Sequence, residues 1–299
     1  MSTTLMPGLA GARPFSEYAA LSASEIHERT WAAKRALGDR AVILGHHYQR
    51  DSVIEFADHR GDSFKLSQLA AQANAEFIVF CGVHFMAESA DVLRGDHQTV
   101  ILPDLKAGCS MADMATIEDV ESAWAHLTAL HGETLTPITY MNSTAALKAF
   151  CGERGGVVCT SSNARTVLEW AWKQKPRAFF FPDQHLGRNT ASSMGVALDH
   201  MALWDWRAED PGRANAACAD AAKRIFLWHG FCSVHTKFSK ALVDEVRAAD
   251  PQVRVLVHPE VPFEVAQAAD LVGSTEFIIE QIERAPAGTH WAIGTEIHL

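Results

Sequence analysis

The amino-acid sequence lacks three features, and each absence argues against a class of function. It contains no CxxC pair, which argues against a zinc ribbon or a thioredoxin-like redox site. Its 26 Lys and Arg residues are outnumbered by 36 Asp and Glu residues, giving a formal net charge of −10. This balance argues against a nucleic-acid-binding protein, which needs a basic face. No apolar run approaches the roughly 18 residues of a membrane-spanning helix.

The amino-terminal residues also lack a basic start followed by an apolar stretch, so they do not resemble a secretory signal. We therefore expect a cytoplasmic protein that does not bind membranes. In a reducing compartment its six cysteines are not expected to form disulfides. About 48% of the 299 residues are hydrophobic, which is sufficient for a sizeable core.

Three apolar segments each end in two polar residues separated by one position. These pairs are His46 and Tyr48, Tyr140 and Asn142, and His258 and Glu260. Residues two apart on an extended chain point to the same side. Each pair is therefore predicted to direct two polar side chains into one space at the end of a strand.

A helix-like segment and then a small hydroxyl-bearing motif follow each pair. The hydroxyl residues of these motifs include Ser63, Ser161, Ser274 and Thr275. Ser and Thr are favoured helix N-caps, and the free N–H groups at a helix start bind anions. We therefore expect each motif to begin a helix and to contact an anionic ligand.

Further apolar strands follow in the order of the repeat. A third strand is predicted in every copy (FIVFCG, AFFFPD, HWAIGT), and a fourth in the first two copies (TVILPD, RIFLWHG). Strands that alternate with helices indicate an α/β fold with parallel sheets. Ligands bind beyond the carboxyl ends of such strands, so three converging ends predict one central pocket.

Each predicted fourth strand leads to a cysteine, Cys109 in the first copy and Cys232 in the second. By the same spacing, the cysteine of the third copy would fall beyond Leu299, and we expect the third copy to lack its fourth element. Three thiolates from three units would suit an iron–sulfur cluster with one iron free of a protein ligand. The remaining cysteines are expected to be small buried residues.

These residues together resemble the quinolinate synthase family. The resemblance extends from Val42 to Leu299 and depends on motifs that occur in this order: LGHHYQ, GDSFKLS, AGCSMADM, TYMNSTAALKA, VCTSSNA, FPDQHLGRNTA, WHGFCSVH, HPE and VGSTEFI. It implies three αβα sandwich units related by a pseudo-threefold axis, with the active site at their junction. Combined with the repeat, the predicted segments are an amino-terminal helix region and three units, at 1–38, 39–113, 114–236 and 237–299.

The resemblance implies a transferase of de novo NAD biosynthesis. The expected reaction condenses iminoaspartate with dihydroxyacetone phosphate and gives quinolinate, phosphate and water. The implied cofactor is a 4Fe-4S cluster held by three cysteines, of which Cys109 and Cys232 are the two present. The third family cysteine lies in a carboxyl-terminal segment that this sequence does not include, so we expect the cluster to be absent or unstable and activity to be poor if this is the whole protein.

The resemblance also implies substrate contacts for the residues of the repeat. His46 and Ser63 would contact the dicarboxylate substrate. The remaining contacts come from the second and third units: Tyr140, Asn142, Ser161, His258, Glu260 and Thr275, with Tyr48 and Ser274 nearby. Among them Glu260 is a candidate proton shuttle, and Tyr48, Tyr140 and His258 are candidate acids or bases.

Two other functions are compatible with the same residues. The chain could be a catalytically silent relative that binds small acids without a complete cluster. It could also be a zinc lyase that uses Cys109, Cys232 and His235 as ligands. The sequence does not decide the oligomeric state, and a homodimer is one assembly that we keep open.

Overall fold

A computed structural model of the protein describes residues 14–296. The strands form three parallel sheets that follow one another along the chain. The first sheet contains β1 (Ala41–His46), β2 (His59–Gly61), β3 (Phe77–Cys81) and β4 (Thr99–Ile101). The second contains β5 (Leu135–Tyr140), β6 (Val157–Cys159), β7 (Arg177–Phe181), β8 (Met201–Trp204) and β9 (Ile225–Trp228). The third contains β10 (Arg254–Val257), β11 (Leu271–Val272) and β12 (Trp291–Gly294).

Helices precede the first sheet and connect the strands. They are α1 (Phe15–Ala19), α2 (Ala23–Leu37), α3 (Asp51–Ile54), α4 (Ser63–Gln72), α5 (His84–Leu93), α6 (Ile117–His131), α7 (Ala145–Glu153), α8 (Ala164–Gln174), α9 (Gln184–Ser193), α10 (Pro211–Ala214), α11 (Lys240–Ala249), α12 (Phe263–Ala268) and α13 (Thr275–Glu283). Among the described residues, no helix is both long enough and apolar enough to cross a membrane.

The three sheets share one strand order, which confirms the predicted α/β fold of three parallel-sheet units. The orders are β2-β1-β3-β4, β6-β5-β7-β9-β8 and β11-β10-β12. In each sheet the first strand lies between the second and the third, so its carboxyl end is central. The predicted fourth strands are β4 and β9, and each pairs with the third strand of its unit. Strand β8, at the edge beyond β9, was not predicted.

Local sequence signals explain where several helices begin and end. Ser22 and Glu25 form a reciprocal capping box at the start of α2, and Gly38, with φ of 53°, ends that helix. The hydroxyl motifs act less uniformly than expected. Ser274 caps α13 as predicted, whereas Asp62 caps α4 and Ser63 is the first helical residue. Ser161 lies in a turn before α8.

The cores lie between the sheets and their helices. Alternate residues of β7 enter different clusters, since Phe180 packs with the first unit's core while Phe179 and Phe181 pack under α6 and α7. All three phenylalanines are fully buried, as expected for a central strand. One apolar cluster therefore joins the first and second units, whereas the third unit has a separate, smaller cluster around Val257.

The predicted unit boundaries stay predictions. All strands of the three sheets fall within 39–113, 114–236 and 237–299 respectively. Residues 1–13 and 297–299, which belong to the outer predicted segments, lie outside the described residues. Within 14–296, no strand pairs with the outer edge of β12, where Ile293 is 39% exposed.

Candidate active site

A cavity of about 380 Å³ lies where the carboxyl ends of the three sheets meet. Every residue that was predicted as a ligand, substrate contact or catalytic group lines it: His46, Tyr48, Ser63, Cys109, Tyr140, Asn142, Ser161, Cys232, His258, Glu260, Ser274 and Thr275. The expected convergence of three strand ends on one pocket is therefore observed. The roles assigned to these residues stay predictions.

The two equivalent cysteines reach this cavity from neighbouring loops. Cys109 follows β4 and Cys232 follows β9, and the hydroxyls of the adjacent Ser110 and Ser233 lie 3.3 Å apart. Burial raises the pKa of the Cys109 thiol to about 11, although backbone N–H groups partly oppose the rise. Without a bound cation this thiol is therefore protonated at neutral pH.

The family resemblance implies a cluster with three thiolate ligands, and two of them fit. Cys109 and Cys232 both line the cavity, and their loops touch. The other four cysteines of the described residues do not line it. Cys151, Cys159 and Cys218 are buried as expected, while Cys81 is only partly buried. The described residues therefore supply two of the three thiols.

A buried imidazole–carboxylate pair lies beside Cys232. His235 Nδ1 and Glu260 Oε2 are 2.8 Å apart, and His235 Nε2 lies 3.2 Å from Thr295 Oγ1. Burial alone would lower the pKa of His235, but hydrogen bonds to Cys232 and Glu260 and the charge of Glu260 raise it to about 10. The imidazole is therefore protonated at neutral pH and carries a positive charge next to the carboxylate.

The carboxylate of Glu260 is the most strongly stabilised anion of the cavity. Burial alone would raise its pKa, but the neighbouring His258 and His235 and hydrogen bonds from His235 and Tyr140 lower the pKa below its usual range. Because burial keeps His258 neutral near pH 7, we attribute the stabilisation mainly to the His235 imidazolium. Glu260 is thus an ionised carboxylate in a buried setting: it is free to accept a proton, although a pKa this low makes it a weak base in the unliganded cavity.

Two other histidines are held neutral by burial. The pKa is lowered to about 3 for His46 and to about 4 for His258. In both, Nδ1 accepts a hydrogen bond from the backbone N–H two residues later, at 3.3 Å from Tyr48 N and 3.4 Å from Glu260 N. This bond leaves Nε2 as the protonated nitrogen, which can donate to a substrate oxygen.

The two tyrosines of the cavity are neutral phenols. Burial raises the pKa of Tyr48 to about 12, and its hydroxyl lies 3.2 Å from Thr275 Oγ1. Burial and the charge of Glu260 raise the pKa of Tyr140 well above its usual value, and its hydroxyl bonds to Glu260 and Ser161. Both phenols can therefore donate protons or hydrogen bonds at neutral pH.

Two residues of this network were not expected to take part in it. His235 entered only as a zinc ligand, and Thr295 was not predicted at all. Thr295 is buried and directly follows β12, the third strand of its sheet. Applying the strand-end rule to the third strands as well as the first would have found Thr295.

The zinc-ligand set proposed from sequence differs from the one that the structure brings together. Among the described residues, one ligand atom each from Cys232, His235 and Glu260 lies within 4.8 Å of the others, and Cys109 is not part of this group. The proposed trio of Cys109, Cys232 and His235 therefore needs correction. Glu260 takes the place of Cys109 because His235 bonds directly to that carboxylate.

The fold and cavity define a three-unit α/β protein with a buried, acid–base-rich site at its centre. A family model described as quinolinate synthetase A protein matches residues 29–299. The chain is 56% identical over 285 residues to the quinolinate synthase of Corynebacterium glutamicum, which covers 95% of this chain and 72% of that protein. It is 57% identical over 285 residues to the quinolinate synthase of Acidobacterium capsulatum, covering 94% of this chain and 76% of that protein. The chain belongs to the quinolinate synthase family.

Proposed function

We propose that the protein forms quinolinate from iminoaspartate and dihydroxyacetone phosphate, with release of phosphate and water, in NAD biosynthesis. Membership of the quinolinate synthase family supports this function. The observation that carries it is the single cavity that contains both repeat cysteines and the buried His235–Glu260 pair. A cytoplasmic location and a homodimer belong to the same proposal.

Substrate anions would bind to hydroxyls at the helix starts. Ser63 and Thr275 are the first residues of α4 and α13, and both are buried at the cavity wall. Free N–H groups at a helix start stabilise anions by roughly 0.3–1 kcal/mol or more when partly buried. Such sites would allow a chain with a net charge of −10 to bind carboxylate and phosphate groups.

Proton transfer would depend on Glu260 and its partners. Glu260 is ionised and can accept a proton, while the phenols of Tyr48 and Tyr140 can donate one. The neutral imidazoles of His46 and His258 would donate hydrogen bonds from Nε2 to substrate oxygens. His235 keeps Glu260 ionised and orients it. Such general acid–base steps typically contribute about 10²–10⁴-fold to a rate.

Cys109 and Cys232 would hold the iron–sulfur cluster, which supplies an iron that polarises substrate oxygens when it is bound. The test is anaerobic reconstitution of the chain with iron and sulfide, followed by iron and sulfide analysis and a quinolinate assay. Cys109→Ser and Cys232→Ser are expected to lose iron absorbance. Cys81→Ser is the matched control, because Cys81 does not line the cavity. Equal iron content in all variants, or a reconstituted parent that makes no quinolinate, would contradict the proposal.

The number of cysteines in the cavity favours a second function, the binding of small acids without catalysis. Since the described residues supply two cavity cysteines rather than three, the chain could bind small acids without turnover. Calorimetry with a dicarboxylate on metal-free protein separates the two functions. Tight binding by a protein that never forms quinolinate after reconstitution would favour this alternative.

A further inference from the structure

One side chain of the second unit is hydrogen-bonded to the loop that carries Glu260. Asn189, in α9, donates from Nδ2 to Pro259 O at 2.9 Å and to Val261 O at 2.8 Å. These carbonyls lie on either side of Glu260. A single amide therefore fixes the backbone on both sides of the carboxylate from a different unit of the fold.

The orientation of this amide is determined by its acceptors. Both N–H bonds of Nδ2 are used by carbonyl oxygens, and Asn189 is buried. The reverse orientation would direct Oδ1 at both carbonyl oxygens, which repel it. Pro259, Glu260 and Val261 are also buried, so a carbonyl left without its donor would be unsatisfied and would destabilise this loop.

Helix α9 is a rigid support for Asn189. The Asp183 carboxylate accepts from Leu186 N at 2.6 Å and caps the helix. At Gly187 a Cβ would lie 2.6 Å from Leu227 Cδ2, so the helix backbone packs directly onto the second sheet. Asn189 thus links the Glu260 loop to a helix that packs directly on the second sheet.

The same helix is also hydrogen-bonded to the loop of Cys232. Gln184 N, at the start of α9, donates to Gly230 O at 3.0 Å, and Gly230 lies two positions before Cys232. Helix α9 therefore joins the thiol loop at one end and the Glu260 loop near its middle. The separation between the two loops depends on this helix.

We propose that Asn189 is a positioning residue that places the Glu260 carboxylate against His235 by fixing the Pro259 and Val261 carbonyls. The inference rests on the proposed function only in the expected effect on kcat. The hydrogen bond between His235 and Glu260 is 2.8 Å long, and misplacement of a catalytic group by about 1 Å can reduce a rate by about 10²-fold. Asn189 itself does not line the cavity.

The test compares Asn189→Asp with Asn215→Asp. Both change the amide of a buried asparagine to a carboxyl of the same size. Asn215 bonds to the backbone N–H and carbonyl of Asp205, away from the cavity, so it controls for general destabilisation. The first readout is the Nδ1–H proton of His235 in metal-free, ¹⁵N-histidine-labelled protein, assigned with His235→Gln.

We expect this proton to shift or to be lost by exchange in Asn189→Asp and to persist in Asn215→Asp. In active protein, Asn189→Asp should lower kcat by about 10- to 100-fold while KM changes by less than about threefold. Should Asn189→Asp not fold, Asn189→Ala removes the same two donors without adding charge. An unchanged His235 resonance in the folded Asn189 variant would overturn the proposal. Absence of turnover in the parent protein would count against the proposed function alone, because the resonance needs no turnover.

Discussion

The first and third units have a histidine at equivalent positions but differ in the residue two positions later. His46 is the last residue of β1 and His258 directly follows β10. Both are buried and accept a hydrogen bond from the backbone N–H two residues later. The residue at that position is a neutral phenol, Tyr48, in the first unit and an ionised carboxylate, Glu260, in the third. The backbone thus fixes two equivalent positions, and the side chains make one a donor and the other an acceptor.

Tyr48 and Glu260 differ in protonation state because their surroundings differ. Tyr48 bonds to the hydroxyl of Thr275, which favours the phenolate less than burial opposes it, so the phenol stays neutral. Glu260 bonds to His235, which stacks on His258 with ring centroids 4.6 Å apart. A repeat therefore predicts where a polar group lies, whereas its protonation state depends on contacts from other units.

The largest expected effect is on turnover. Glu260→Gln removes the ionised acceptor but keeps the size and polarity of the side chain, so kcat for quinolinate formation should fall by about 10²–10⁴-fold. Glu245→Gln, on the exposed face of α11, is the control. Full activity in Glu260→Gln would show that the carboxylate is not the proton acceptor.

The matching change in the first unit is Tyr48→Phe. It should also lower kcat, because a phenol that donates a proton is lost, but it should leave the His235 imidazolium in place. Cys232 and Glu260 together raise the pKa of His235, and Glu260→Gln removes the contribution of Glu260, so only that variant should lower the pKa of His235 from about 10 towards 6.5. Histidine NMR on both variants measures this, and equal His235 titration in the two would contradict the comparison.

The next effect concerns stability at acid pH. His46 and His258 have folded-state pKa values of about 3 and about 4, below the unfolded value of 6.5. The unfolded chain therefore binds more protons than the folded chain below pH 6.5, and stability falls as the pH drops from there. At pH 4.5 the loss should be on the order of 2 kcal/mol for each histidine. His235 has the opposite sign, since its stabilisation is complete below pH 6.5 and is lost as the pH rises towards about 10.

Thermal melts of metal-free protein between pH 4.5 and 6.5 test the expected loss of stability at acid pH. His46→Asn and His258→Asn should each reduce the pH dependence by about one proton. His200→Asn, at an exposed site, should not change it. A pH dependence that is the same in all three variants would contradict the burial of neutral imidazoles.

A smaller effect is expected in the backbone dynamics of the third strands. Strand β3 pairs with β1 and β4, whereas β12 pairs only with β10 within the described residues. The third unit also has the smallest apolar cluster. Amide exchange should therefore be faster in β12 than in β3, by about 10- to 100-fold. Hydrogen exchange with mass spectrometry measures both strands in one sample, and equal protection would refute the difference.

The repeat predicts much of this architecture, and its failures have physical causes. Apolar segments and strand-end polar pairs are local, so the parallel sheets and the twelve cavity residues could be predicted from the sequence. Strand β8 was missed because it lies in a segment found only in the second unit. The contacts of His235 with Glu260 and of Asn189 with the Glu260 loop were missed because they depend on which loop of another unit lies opposite.

The smallest expected effect tests whether the first and third units are built alike. Asp58 accepts from Ile43 N at 2.8 Å and Asp270 accepts from Val255 N at 2.7 Å, both across the first two strands of a sheet. Each carboxylate also pairs with a cation, Lys34 for Asp58 and Arg247 for Asp270.

Asp58→Ala and Asp270→Ala should each destabilise the protein by about 1 kcal/mol, because a charge-assisted bond to the backbone is lost while solvent screens the ion pair. Asp244→Ala, which removes only an exposed pair with Lys240, should have almost no effect. Melting temperatures of the three variants measure these losses. If only one of Asp58→Ala and Asp270→Ala lowered the melting temperature, the two units would differ in their scaffold as well as in their polar residues.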